Sequence, residues 1–322
     1  MNRNHTLDVL RGFLSWTVVM VHVAWVSGIQ GQTQHDIGVM AVEGFIVLSG
    51  FVITQLILTK RETYGTFILR RFMRLFPIFA VCIVISLAVR PITLGAIQSP
   101  SQPILEASEN RFFWEHILAH LTMLHGIIPS RWLPMSQYAF LVPAWSISLE
   151  FQLYLVAPLL IWWLSRSGLR GTLFVLISSA LCLFNPVSLR IGQIWAGSGA
   201  FLPQKFVFFL IGSLIYLFST KGPHKTTVYQ YWPWFVRLGE VSYSTYLIHY
   251  PVLAVVTRFV PRDWSHIEKG VVTFAVSAPI IFILSVILYR YVERPGIELG
   301  KRLSRGVEFR PTAQPSGVAA TR

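Results

Sequence analysis

Residues 7–25 read LDVLRGFLSWTVVMVHVAW, and the fold turns on this stretch. It is mostly apolar and about as long as the roughly 20 residues a helix needs to cross the hydrocarbon core of a bilayer. Yet it holds Asp8, Arg11 and His22. Arg11 and His22 are eleven residues apart, close to three helical turns. They therefore share nearly one face, about 16 Å apart along the axis. Snorkelling explains a lone arginine, and a bond to a neighbouring helix explains a lone histidine. The pair, joining a cation near the inner interface to a titratable base deeper in the membrane, suits a molecule that threads in from the cytoplasm. Ionisable groups within a span mark functional sites by default.

The rest of the chain agrees with a membrane reading. Of 322 residues, 53% are apolar and only 13% charged, and the mean hydropathy is +0.56. The charges are lopsided, 27 Lys and Arg against 14 Asp and Glu. This excludes a disordered chain, a disulfide scaffold and an ordinary cytosolic enzyme. It also argues against nucleic-acid binding, which does not dilute its charge into apolar runs of membrane length. Cys82 and Cys182 each lie inside an apolar run and are expected to be buried small hydrophobes. Candidate spans are 7–27, 38–58, 76–97, 149–165, 172–189, 201–219, 238–256 and 271–289. The stretch 112–128 carries Glu115, His116, His120 and His125 and is expected to be interfacial or re-entrant, or to span with a second short segment. The fold class is thus all-α, a polytopic transmembrane helix bundle of 8–10 spans.

Basic residues orient it. Residues 28–37 hold none, whereas 59–75 hold Lys60, Arg61, Arg70, Arg71 and Arg74, so the second of these loops is expected inside. The loops with Arg166 and Arg170 and with Lys221 and Lys225 then also fall inside, as does the basic segment from 290 onward. Both termini are expected to be cytoplasmic, with 301–322 a basic, disordered tail. No A-x-A-like cleavage site follows the first apolar run, which reads as an uncleaved span.

Other polar groups recur inside or beside the spans. Glu43 precedes FIVLSGFVIT, where Ser49 is expected to bond back to its own helix and Gly50 to admit a close neighbour. FILRRFMRLFP, residues 67–77, gathers Arg70, Arg71 and Arg74 on one face; such forks grip phosphate, or anchor to anionic lipid at the cytoplasmic surface. Glu150 opens a span behind Trp145, Ser146 and Ser148, as a cap or as the partner of a histidine. VSYSTYLIHYP, residues 241–251, adds Tyr243 and His249. Glu293-Arg294-Pro295 reads as a helix end or an ion pair. His116 and His120 have the spacing of half a zinc site, but H-E-x-x-H is absent and no third ligand is evident, so no metal is expected.

In order, LDVLRG…H, VEGFIVLSGFVIT, RRFMRLFP, WSISLEFQLYL, SYSTYLIHYP and YRYVERP resemble the acyltransferase-3 family of integral membrane acyltransferases, whose members include bacterial enzymes that O-acetylate surface polysaccharides. The match departs at Phe45-Ile46, where an aromatic pair is usual, and at Glu43, where Asp is frequent. The resemblance covers residues 1–300 and implies the stand-alone membrane form in the bacterial inner membrane. It implies an acyl-CoA donor, acetyl-CoA foremost, and a hydroxyl on a carbohydrate or lipid-linked glycan as acceptor. Site residues carried over are Arg11 and His22, with Glu150, as catalytic, and Arg71 and Arg74, with Arg70, as the CoA-side group. Glu43, Tyr243 and His249 are secondary candidates. The competing reading is a proton-coupled transporter or flippase of a polysaccharide precursor, with Arg11, His22, Glu43 and His249 as its path, although no internal repeat supports it.

Overall fold

The structure is a computed structural model that describes residues 5–29, 31–60, 62–97, 101–184, 200–219 and 233–305. Among these residues the secondary structure is entirely helical. The helices are α1 (His5–Val26), α2 (Gln32–Lys60), α3 (Tyr64–Thr93), α4 (Gln102–Arg111), α5 (Phe113–Leu121), α6 (Ala144–Phe184), α7 (Leu202–Phe218), α8 (Pro233–Glu240), α9 (Ser242–Phe259), α10 (His266–Leu288) and α11 (Arg294–Arg305). Among the described residues five runs are long and apolar enough to cross a membrane: His5–Val26, Gln32–Lys60, Tyr64–Thr93, Ala144–Gly168 and His266–Arg305. The remaining expected spans fall on the second half of α6 and on α7 and α9, which are helical but not among those five. Residues 185–189, the end of one expected span, and the loop with Lys221 and Lys225 lie outside the described residues.

The spans at 149–165 and 172–189 were separated in sequence by a turn, and α6 bends at that place. Gly168 stands at φ 60° and ψ −163°, a conformation open to a residue without Cβ. The third span begins earlier than hydropathy suggests. Thr63 caps α3 by accepting from Thr66 N at 3.3 Å, so Arg70, Arg71 and Arg74 belong to a membrane helix rather than a loop. Pro295 does not stop the last helix. The backbone widens into a π turn over Tyr289–Glu293 and restarts as α11, where an early proline is tolerated because the first N–H groups of a helix have no intrahelical partner. Residues 301–305, expected as tail, are the last of α11, and 306–322 lie outside the described residues.

The segment 112–128 does not span. Helix α5 has nine residues, about 14 Å, and is followed by a single 3₁₀ turn at His125–Ile127. The irregular chain beyond it includes Met123, Met135 and Phe140 at positive φ. Such backbone survives at membrane depth only where protein satisfies it. Ser136 donates to the His125 carbonyl at 3.0 Å, Gly126 N–H to Ser148 Oγ at 3.0 Å, and Phe140 N–H to Glu109 at 2.7 Å.

One continuous core joins the long helices, with Val18, Val19, Ile78, Phe79, Leu153 and Leu247 fully buried. Cys82 is buried in it; the Cys182 side chain lies outside the described residues. One of the closest crossings is that of α2 on α7. A Cβ on Gly50 would stand 2.0 Å from the Phe209 carbonyl, and one on Gly212 would stand 1.9 Å from the Val47 carbonyl. Neither carbonyl can move aside, since both belong to helical backbone. Gly50→Ala should therefore lower the thermal stability of the detergent-solubilised protein by an amount on the order of 1–3 kcal/mol, the usual cost of overpacking. Gly65→Ala, with open space around its Cα, should leave stability unchanged or slightly raised. Equal effects of the two would refute the close-approach account.

Candidate active site

A cavity opens between α1, α2, α3, α6 and α9, with about 860 Å³ of empty space, its mouth included. Three arginines reach it, Arg11 from α1 and Arg71 and Arg74 from α3, facing Glu150 and Tyr154 of α6 and Tyr243 of α9. None of the three arginines forms an ion pair among the described residues. Buried Arg71 Nε has no hydrogen-bond partner, and neither has Ser49 Oγ on the opposite wall. Ser49 does not bond back to its own helix as expected; its hydroxyl is buried without a partner. Glu150 accepts from the Tyr154 hydroxyl, and Tyr243 donates to the Leu75 carbonyl at 3.3 Å. An apolar-walled chamber with unpaired guanidinium forks and spare donors is suited to multiply charged oxyanions such as phosphates.

His22 is not in this chamber. It lies further along α1, half-buried, against His249 of α9, with ring centroids 5.0 Å apart. His22 Nδ1 is 2.9 Å from the Val18 carbonyl and 3.3 Å from His249 Nε2. A carbonyl only accepts, so the network assigns the proton to His22 Nδ1, shared with the His249 lone pair. Nε2 of His22 is then the free lone pair and is bonded to nothing among the described residues. Between chamber and histidines stands Tyr246, whose ring lines the cavity and lies 6.0 Å from the His249 ring. Its hydroxyl is tied to Ser146 Oγ at 2.7 Å and to the Pro143 carbonyl at 3.4 Å.

The structure sorts the other sequence candidates. Arg70 leaves the cavity: it bonds Glu62 at 2.6 Å and Ser304 of α11 at 2.7 Å, which makes it a strut between helices. Arg71 lies 100° round α3 from Arg70 and turns into the cavity, and Arg74, one turn further along and only about 40° from Arg70, reaches the cavity as well. Glu43 pairs with Lys205 of α7 at 2.6 Å and does not orient His22. Glu150 also stands apart from both histidines, held by Tyr154 among the arginines. Glu293 is buried and accepts from Ser244 at 2.8 Å, so the expected Glu293–Arg294 ion pair is absent. Tyr246 and Ser146, which the sequence reading did not select, also line the cavity and bond each other; in sequence they were legible only as polar atoms in apolar helices.

A second cavity, about 540 Å³ with its mouth, lies on the far side of the histidine pair. It is bounded by Arg90, Gln102, Glu106, Tyr138 and Tyr250, and the Tyr250 ring meets His22 edge-on at 6.1 Å. The Tyr250 hydroxyl is buried and unpartnered. Arg90 is about 24 Å along α3 from Arg74, so the two cavities approach the histidines from opposite ends of the bundle.

The remaining histidines form a packed group. His120 and His125 stack at 4.0 Å and Phe79 stacks on both, while His116 lies 3.0 Å from Ser108 Oγ. Among the described residues no group of three or more His, Cys, Asp or Glu side chains is arranged to hold a metal ion. Burial lowers His116 and His120 from their ordinary value to about 4. The folded state keeps them neutral, so as pH falls from about 6.5 toward 4 the unfolded state binds protons that the folded state refuses. Stability contributed by these rings is thus full above about pH 6.5 and is lost below it. The melting temperature should fall as pH drops from 7.5 to 5, and His120→Gln should flatten that slope. A slope unchanged in the variant would show that other groups cause it.

A helix bundle with a charged chamber and a histidine pair inside its apolar core defines a membrane enzyme scaffold. The chain matches the acyltransferase domain family, acyltransferase 3, over residues 4–232 and belongs to it. The match ends before α9, so Tyr243, Tyr246 and His249 lie beyond it. Among curated proteins it is similar to the acyltransferase MdmB of Streptomyces mycarofaciens, 30% identical over 123 residues, which is 38% of this chain. The chain covers 28% of the length of that relative. No solved structure matches it.

Proposed function

We propose that the protein is a membrane O-acyltransferase that moves an acyl group, acetyl foremost, from acyl-CoA to a hydroxyl of a carbohydrate or glycolipid acceptor. In this reading it sits in the bacterial inner membrane with both termini and the mouth of the arginine chamber on the cytoplasmic side. The observation that carries it is the convergence of Arg11, Arg71 and Arg74, none ion-paired, on one chamber beneath a histidine with a free lone pair. CoA carries a pyrophosphate and a 3′-phosphate at one end and the thioester at the other. Arg71 and Arg74 hold the phosphates, with Glu150 setting the charge balance and Ser49 donating. The pantetheine arm follows α1 from Arg11 toward His22, and the ring of Tyr246 turns aside to admit it.

At the histidine pair, the acceptor hydroxyl enters from the opposite cavity, past Tyr250. His22 Nε2 takes the hydroxyl proton as the oxygen attacks the thioester carbon. The C–S bond breaks, CoA leaves as the thiolate, and the proton on His22 neutralises it. His249 contributes by accepting from His22 Nδ1, which fixes the tautomer and supports the charge that develops on the ring. The transport alternative needed Glu43 in line with His22, but Glu43 is engaged by Lys205.

Transfer of labelled acetyl from acetyl-CoA into membrane glycans and calorimetric titration with CoA test the scheme. His22→Ala should lower the transfer rate by about 10²–10⁴-fold, the usual worth of a general base, with CoA affinity retained. Arg71→Ala should weaken CoA binding about tenfold or more, as expected for a lost charged phosphate contact. Arg70→Ala should leave CoA affinity unchanged and lower stability instead. Native turnover in His22→Ala would remove the base assignment, and native CoA affinity in Arg71→Ala would remove the phosphate assignment. Absence of saturable CoA binding to the wild-type protein would overturn the enzyme reading itself.

A further inference from the structure

A third cavity, about 840 Å³ with its mouth, lies at the end of the bundle away from the arginine chamber. It is enclosed by the end of α1 (Val26–Gly28), the end of α9 and the start of α10. Its charged lining is Arg258, Arg262 and Lys269, with His266 beside them, and no carboxylate lines it. Of the two carboxylates on this stretch, Asp263 does not face the cavity and Glu268 is held in a capping box by Ser265.

Neither arginine nor Lys269 is ion-paired among the described residues. Lys269 Nζ donates to the Arg262 carbonyl at 2.7 Å, and Arg262 reaches the Gly95 carbonyl only at 3.4 Å. His266 Nδ1 is 2.9 Å from the Ser27 carbonyl, which ties the wall of the cavity to α1. The Ser27 hydroxyl also lines the cavity, is 97% buried and has no hydrogen-bond partner. A buried hydroxyl without a partner costs free energy that a bound acceptor recovers. Three like charges around one concavity repel one another until an anion joins them.

Topology does not account for these cations. In the orientation proposed above they lie on the outer side, where lysine and arginine are normally sparse. The site therefore has a basic, concave wall and an orphan donor at Ser27, five residues beyond His22 and just past the end of α1. We propose that this cavity binds the phosphate group of a phosphate-bearing ligand, with Arg258, Arg262 and Lys269 as its cationic wall and Ser27 as donor. The inference stands on this cavity alone and does not depend on acyl transfer.

Two arms separate the sources of the phosphate. In the first, the full chain in uncharged detergent is titrated with inorganic pyrophosphate, with sodium chloride at matched ionic strength as reference, and its melting temperature followed. In the second, the protein is compared in phosphatidylcholine nanodiscs with and without phosphatidylglycerol. The expected result is a saturable rise of a few degrees in at least one arm. The rise should be largely lost in Arg258→Gln/Lys269→Gln and kept in Arg111→Gln, which alters an exposed arginine elsewhere. These cavity side chains are at the rim, and both variants should fold. A rise with pyrophosphate identifies a soluble phosphate ligand, and a rise confined to phosphatidylglycerol identifies a lipid headgroup. No rise in either arm, or a rise of equal size in Arg258→Gln/Lys269→Gln, overturns the proposal.

Discussion

Charge inside an apolar bundle is expensive unless protein or water surrounds it, and the positions of Arg11, Arg71 and Arg74 follow from that cost. All three side chains turn into one chamber, where Glu150, Tyr154 and Tyr243 supply opposite charge and dipole, with the buried Glu293 acting on Arg74 from beyond the lining. The surrounding helices pack closely elsewhere to leave that chamber open. The Gly50–Gly212 crossing brings α2 and α7 together at backbone distance, while α1, α3, α6 and α9 diverge around the arginines. Arg70 shows the same cost met differently, by Glu62 and by Ser304 of α11. Two arginines adjacent in sequence thus serve a site and a strut.

The same economy governs the irregular backbone between α5 and α6. Phe140 stands at positive φ with its N–H on Glu109, whose other oxygen meets Arg90. One buried carboxylate therefore holds a strained turn and one wall of the second cavity together. Histidines 116, 120 and 125 fill the space below as neutral, stacked rings, so this segment is a packed insert rather than a span. Tyr138 from this segment and Tyr250 of α9 both line the second cavity.

The two-sided arrangement about His22 and His249 is the feature that joins structure to the proposed reaction. Tyr246 and Tyr250 stand between the histidines and the two cavities, and the Val18 carbonyl sets the tautomer. In the proposed reaction the phosphate-bearing donor and the hydroxylic acceptor would meet at this pair from opposite ends of the bundle.

The helical class, the apolar helices and the shared face of Arg11 and His22 were legible in the sequence, because hydropathy and a 3.6-residue period are local properties. Gly50 was legible as a contact position for the same reason, whereas Gly168, where α6 bends, was not singled out. Partner choice was not. Glu43 with Lys205, Glu150 with Tyr154, Glu293 with Ser244 and His22 with His249 join residues on different helices, or on one helix among several candidates, and no local rule ranks them. The start of α3 was misplaced since a hydropathy window discounts arginines that the fold places inside a helix. The sequence by itself determined that charges lie within membrane helices, since the energetic pressure to bury apolar surface is written residue by residue. Only the tertiary structure decided which charges share a chamber, which are neutralised as struts and which histidine keeps a free lone pair, because those outcomes depend on how helices far apart in sequence are rotated against one another.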